Sequence, residues 1–151
     1  MPLTNYLHGT VCWQIAGLLF VYLSGRDLGR ATCNDSGVVT KRDPDSVRGP
    51  DVAYFSYQRV PKDSMPDRYP EVSPELIFEV KSPSDRWQAI TAKVSEYLTA
   101  GTLTVCVADP ETRTVSVYSG NGGPARLTAD DDLTLPEVFP DFRVPVRRFF
   151  E

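Results

Sequence analysis

The chain has 151 residues, 41% of them hydrophobic and 24% charged, which fits one globular domain spanning 1–151 and excludes a disordered or fibrous chain. Its formal net charge of −4 argues against a protein that coats nucleic acid without specificity, while leaving room for a site built of carboxylates around a metal. Three widely spaced cysteines, Cys12, Cys33 and Cys106, form neither a disulfide framework nor a zinc site and read as buried thiols in a reducing cytoplasm; the only histidine, His8, leaves no histidine-based metal cluster.

Residues 4–24 place Leu7, Val11, Ile15, Leu18, Leu19 and Tyr22 at helical spacing, an amphipathic helix capped by Thr4 or Asn5 and ended by Gly25. Its apolar run, 15–23, is too short to span a bilayer, and no basic stretch marks a signal peptide, so no membrane is expected and the helix packs on a sheet. Residues 31–33 and 37–40 read as short strands broken by Asn34-Asp35-Ser36. Residues 42–50 are polar and turn-rich, and they deliver Asp51 to a further strand. Residues 57–74, with Pro61, Pro66, Pro70 and Pro74, form a long surface loop that either flanks a substrate groove or is a plain solvent loop.

Residues 76–80 are a short apolar run closed by proline and serine on both sides, and so a strand. Alternation sends Leu76, Phe78 and Val80 to one face and Ile77, Glu79 and Lys81 to the other. Glu79 and Lys81 then stand side by side, roughly 6.5 Å apart. Asp51, in Val47-Arg48-Gly49-Pro50-Asp51-Val52, is the candidate second acid. Pro50-Asp51 followed by Glu79-Val80-Lys81 is the P-D…E-x-K pattern of the PD-(D/E)XK nuclease superfamily. An Asp and a Glu on adjacent strands supply the hard oxygens that Mg²⁺ prefers, and a lysine beside them orients an attacking water or offsets charge growing on a phosphate. By itself the pattern fits equally a half-exposed strand with Glu79 and Lys81 solvated on its wet face.

A second helix covers residues 84–100, with Ser84 and Asp85 at its start, Gly101 just past its end, and Trp87, Ile90, Val94, Tyr97 and Leu98 as the apolar face. Lys93 falls at the edge of that face and returns over the sheet. Residues 103–108 and 114–118 pair around the turn 109–113, and a short strand, 125–128, follows Gly120-Asn121-Gly122-Gly123. The proline-punctuated apolar tail wraps the core and ends on Phe149 or Phe150. This order gives an α/β fold with a central mixed β-sheet flanked by helices.

The segments Val47 to Val52 and Pro74-Glu75-Leu76-Ile77-Phe78-Glu79-Val80-Lys81-Ser82-Pro83-Ser84-Asp85-Arg86 continue with Lys93-Val94-Ser95-Glu96-Tyr97-Leu98-Thr99-Ala100-Gly101. The turn Asp109-Pro110 and the tail Pro140-Asp141-Phe142-Arg143-Val144 complete the string. In that order the chain resembles the Uma-type family of endonucleases, a restriction-endonuclease-like branch of the PD-(D/E)XK superfamily, from about residue 8 to 150. The resemblance implies a cytoplasmic, Mg²⁺- or Mn²⁺-dependent endonuclease acting on nucleic acid, DNA above all. Asp51 and Glu79 would be the metal ligands together with the Val80 carbonyl, and Lys81 the catalytic lysine. Lys93 takes the place of the family's helix lysine, Tyr97 supports it, and His8 matches a family histidine. Arg48, Arg59, Lys62, Arg68 and Arg86 are candidates for phosphate contacts, and a homodimer would reach both strands. Family members carry a further N-terminal segment with an acidic residue, whereas this sequence begins almost at the helix. The alternative is therefore a catalytically inactive nuclease-like fold that binds nucleic acid or protein, and the acidic balance favours it.

Overall fold

Asn5 starts the first helix. Its side-chain oxygen accepts the His8 backbone N–H at 2.8 Å, and α1 then runs Tyr6–Leu23 until Gly25, at φ +75, turns the chain away. The computed structural model describes residues 3–120 and 122–151, so Asn121 of the glycine-rich turn lies outside the described residues. After α1 come β1 (Gly29–Cys33), β2 (Val38–Lys41), β3 (Ser46–Arg48), β4 (Val52–Ser56), β5 (Leu76–Val80) and α2 (Trp87–Ala100). β6 (Thr104–Asp109), β7 (Thr114–Ser119), β8 (Ala125–Leu127), β9 (Asp132–Leu135), β10 (Phe139–Pro145) and a closing 3-10 helix (Val146–Phe150) complete the chain.

Six strands form one sheet in the order β1-β4-β5-β6-β7-β8. Only β5 and β6 run parallel, because α2 carries the chain across between them; every other pair in this sheet is antiparallel. β5 lies inside the sheet, and all five of its residues are buried. One face is covered by α1, the β9–β10 hairpin and the closing helix, where Val11, Ile15 and Leu19 pack with Leu76, Phe78, Phe139 and Phe149. The other face is covered by α2, whose Ile90, Val94 and Tyr97 meet Ala53, Phe55, Ile77, Val105 and Val107. A fully buried Ile, Leu or Val contributes about 1.5–3 kcal/mol, so α1 is fastened mainly by its row Val11, Ile15, Leu19.

Several expectations change. Leu7 is half exposed, and His8 takes its place on the buried face of α1. Residues 42–50 are more than a turn, since β3 pairs with β2 as a separate hairpin. Ser84 and Asp85 do not start α2: the Asp85 carboxylate accepts the Ser82 N–H at 2.8 Å in the preceding turn, and the N-cap residue is Arg86. The C-terminal tail folds as a hairpin whose register shifts between Phe139 and Arg143, around Pro140, which has no N–H to donate. Cys33 is exposed and Cys12 half-buried, so only Cys106 is the buried thiol expected. By length and composition α1 is long and apolar enough to cross a membrane, contrary to the reading of its apolar run as too short. Here it lies on the sheet with Val11, Ile15 and Leu19 in the core and Tyr6, Trp13 and Phe20 facing outward.

Topology alone decides where the acids meet. β4 and β5 are antiparallel, so the residue before β4 and the end of β5 share one edge of the sheet. The loop 57–74 joins the end of β4 to the start of β5 and therefore sits at the opposite edge. From there it reaches back along β1, where Tyr69 packs against Gly37.

Candidate active site

Val52 pairs with Phe78, so Asp51, the residue before β4, comes beside the end of β5 where Glu79 stands. Glu79 faces α2, like Ile77 two residues before it. Its Oε1 accepts the Tyr97 hydroxyl at 2.8 Å and lies 3.5 Å from Lys93 Nζ. Lys93 and Tyr97 can share one oxygen because they are four residues apart on α2 and project from the same side. Burial pushes the Glu79 carboxyl up to about 7; Lys93 works against that shift and the Asp51 charge adds to it. Burial and the neighbouring Glu79 raise the Tyr97 phenol, which stays a donor.

Lys81 lies one residue past β5, with its N–H on the Ala108 carbonyl at 2.8 Å and its Nζ 3.3 Å from the Ser82 carbonyl oxygen. It borders two cavities. One, of about 70 Å³, is lined by Glu79, Val80, Lys81, Asp85, Ile90 and Lys93. The other, of about 250 Å³, opens on the α1 side between His8, Lys81, Pro83 and Glu111.

Asp51 is held from two directions. Its Oδ2 accepts the Val80 N–H at 2.7 Å and lies 3.5 Å from His8 Nε2. On the other side of the same imidazole, Cys12 Sγ is 3.5 Å from Nδ1. The hydrogen bond to Asp51, more than that to Cys12, holds the His8 imidazole protonated well above the ordinary histidine range. Burial raises the Cys12 thiol, and the His8 ring opposes that shift.

The donor set fits a hard divalent cation. Asp51 and Glu79 are largely buried near one another at the end of β5, and the charge of Asp51 makes Glu79 harder to ionise. A cation between them would relieve that opposition, as the charges of Lys93 and His8 do here in part. The cavity beside Glu79 has the volume of a few water molecules, which suits an ion that keeps part of its hydration shell.

The structure brings together His8, Asp51, Glu79, Val80, Lys81, Lys93 and Tyr97 at one edge of the sheet. Arg86, the N-cap residue of α2, and Arg48, paired with Glu96 at 2.7 Å, lie toward the same edge. Three other cations belong to the far-edge loop. Arg59 pairs with Glu75 at 3.3 Å and donates to the Ser73 and Gly101 carbonyls, while Lys62 pairs with Asp27. Arg68 lines a separate cavity with Arg30, Phe55 and Met65. Arg59 and Lys62 are thus placed away from the acids, for the topological reason given above, whereas the cavity of Arg68 extends to Ser36 and Gly37, past the end of β1.

A family model described as "Uma2: Putative restriction endonuclease" matches residues 1–147. The chain belongs to the Uma2 restriction-endonuclease family. The crystal structure of a putative nuclease belonging to DUF820 from Anabaena variabilis ATCC 29413 superposes with a TM-score of 0.85 at 18% identity, covering 99% of this chain and 83% of that one. At that identity the likeness speaks for the fold, which is the α/β, restriction-endonuclease-like one expected. A search of the curated proteins finds no match. In this Uma2 chain two side chains at the acids escaped the sequence reading, Cys12 and Asp85. Cys12 stands one helical turn after His8, and that spacing is the signal that joins them once His8, not the half-exposed Leu7, marks the inner face. Asp85 was assigned to the helix start, and no signal in the string of residues places it in the Glu79 cavity.

Proposed function

We propose that this chain is a metal-dependent endonuclease that hydrolyses phosphodiester bonds, with DNA as its substrate. The observation that carries the reading is the meeting of the two acids at the end of β5, where Asp51 accepts the Val80 N–H and Glu79 lines one small cavity with Lys81 and Lys93. Asp51, Glu79 and the Val80 carbonyl would hold Mg²⁺ or Mn²⁺. Such an ion supplies positive charge against the phosphate and makes a bound water more acidic. The chain's own groups do the rest. Tyr97 and Lys93 fix the Glu79 carboxylate, and the Val80 N–H and His8 fix Asp51. Lys81, at the boundary of both cavities, orients the attacking water and offsets charge on the phosphate. Arg86 and Arg48 supply phosphate contacts from the same edge. Two copies would present two such edges to a duplex, and the outward aromatic row Tyr6, Trp13, Phe20 of α1, each ring at least 73% exposed, supports their pairing there.

A second reading, a nuclease-like binding module that does not cut, draws on the formal net charge of −4. Calorimetric titration with Mn²⁺, run with plasmid nicking in the same buffers, separates the two. Binding and nicking by the intact chain that both vanish in Asp51→Ala are the expected result. Nicking that survives in Asp51→Ala overturns the site, and an intact chain that binds no Mn²⁺ and cuts nothing establishes the binding module.

A further inference from the structure

The α1 side of Asp51 has a donor chemistry that a magnesium nuclease does not need. His8 and Cys12 are one turn apart on α1, so both reach toward the sheet edge where Asp51 stands. Cys12 Sγ and His8 Nδ1 are 3.5 Å apart, as are His8 Nε2 and Asp51 Oδ2, and one donor atom from each of the three residues lies within 4.8 Å of the other two. Thiolate sulfur, imidazole nitrogen and carboxylate oxygen are the set that Zn²⁺ takes, whereas Mg²⁺ takes oxygen alone.

We propose that His8, Cys12 and Asp51 form a site for a borderline-soft divalent cation, Zn²⁺ above all, which takes Asp51 away from the oxygen-only centre it forms with Glu79. Tetrahedral ligation at about 2.3 Å for sulfur and 2.0–2.1 Å for nitrogen and oxygen sets donors roughly 3.3–3.7 Å apart. Whichever ring nitrogen is used, one separation already falls there, and the others, within 4.8 Å, must close by up to about 1 Å, a movement within reach of a turn of the His8 ring and of the Cys12 side chain. Only one imidazole nitrogen can face the ion, so the ring now lying between sulfur and carboxylate swings to present it. Binding releases the thiol and imidazolium protons to solvent. Three protein ligands leave a fourth position for water, and the 250 Å³ cavity that His8 lines has the room. Cys12 is free for this role: it forms no disulfide, and its hydrogen-bonding contact is the His8 ring.

The inhibitory consequence rests on the nuclease reading above; the site itself does not. An Asp51 oxygen committed to zinc beside His8 is withdrawn from the Glu79 side, so zinc and the hard cation compete for one carboxylate. The chain thus carries a soft-metal brake built around Cys12.

Cobalt(II) reports on both coordination and sulfur ligation. The metal-free chain is titrated anaerobically with Co²⁺ in a phosphine reductant. The proposal expects about one equivalent to bind, with a near-ultraviolet thiolate-to-cobalt charge-transfer band and the intense visible bands of four-coordinate cobalt, both erased by added Zn²⁺. Cys33→Ser, which alters the exposed cysteine, should keep the band; Cys12→Ser should lose it; His8→Ala should weaken Co²⁺ binding at least about tenfold. No thiolate band in the intact chain, or a band that survives in Cys12→Ser, overturns the site. In the nicking assay with Mn²⁺, the ratio of rates without and with stoichiometric Zn²⁺ is compared within each protein. A large ratio in the intact chain that falls toward one in Cys12→Ser supports the brake, and equal ratios overturn it. An intact chain that shows the cobalt band but never nicks sinks the nuclease reading and leaves the metal site standing.

Discussion

The two carboxylates of this site stand close together at the ends of neighbouring strands, yet their surroundings differ in kind. Glu79 looks toward α2 and meets a phenol and an ammonium group, both hydrogen-bond donors, one helical turn apart. Asp51 is pinned by a main-chain N–H and looks toward α1, where an imidazole and a thiol wait. The α2 side holds a carboxylate that burial makes reluctant to ionise; the α1 side holds one already matched by a protonated imidazole. One sheet edge therefore offers an oxygen site and a softer site that share a single residue. The lesson is that ligand preference is set by the helix packed on each face as much as by the acids.

The largest effect should come from removing the acid of the hard side. Glu79→Ala is expected to lower nicking at least about 10²-fold, since even partners that only orient a ligand are worth 10–100-fold; a rate within threefold of the intact chain would show that the α2 side is not the centre. The electrostatic contrast can be read in stability. The folded chain keeps the Glu79 proton up to about pH 7 against 4.5 when unfolded, so without metal stability falls as pH rises between these values and this group adds no further slope above. The loss amounts to about 3 kcal/mol. Urea melts at pH 4.5 and 7.5 should show it in the intact chain and not in Glu79→Gln. Equal slopes in the two proteins would mean that Glu79 ionises as if it were exposed.

Tyr97→Phe keeps the ring in the core and deletes one donor to the buried carboxylate. It should cost about 1–3 kcal/mol above pH 7 and weaken Mn²⁺ binding roughly 10–100-fold. Calorimetry that finds unchanged affinity would leave Lys93 as the sole support on that side. Smallest is the rim: Arg48 and Glu96 form a half-exposed pair, so Arg48→Ala should change stability by only about 0.2–1 kcal/mol. If Arg48 also touches phosphate, the same variant flattens the salt dependence of DNA binding by about one unit of slope in a fluorescence titration.

Local pattern was enough to read much of this protein. The run 76–80 with its flanking prolines is β5 residue for residue, and Val11, Ile15 and Leu19 announce the inner face of α1. Alternation alone put Glu79 on the face opposite Leu76, Phe78 and Val80, and helical spacing put Lys93 at the edge of α2. The string Pro50-Asp51, Glu79-Val80-Lys81 and Lys93 to Gly101 carried the family. These features repeat with the period of a single element, and so they are written in neighbouring residues.

What only the tertiary structure decided depends on the direction and register of strands. Because β4 runs against β5, Asp51 comes to the Glu79 end of β5 while Arg59 and Lys62, in the connecting loop, are carried to the other edge. The packing of α1 across β4 and β5 brings its first turns over Asp51, turning a lone histidine and a half-buried cysteine, which spacing along the chain does not join, into a three-donor cluster. Chain separation conceals such meetings. The sequence by itself determined the elements, their faces and the acids, whereas the company each acid keeps was settled by which helix packs against which side of the sheet.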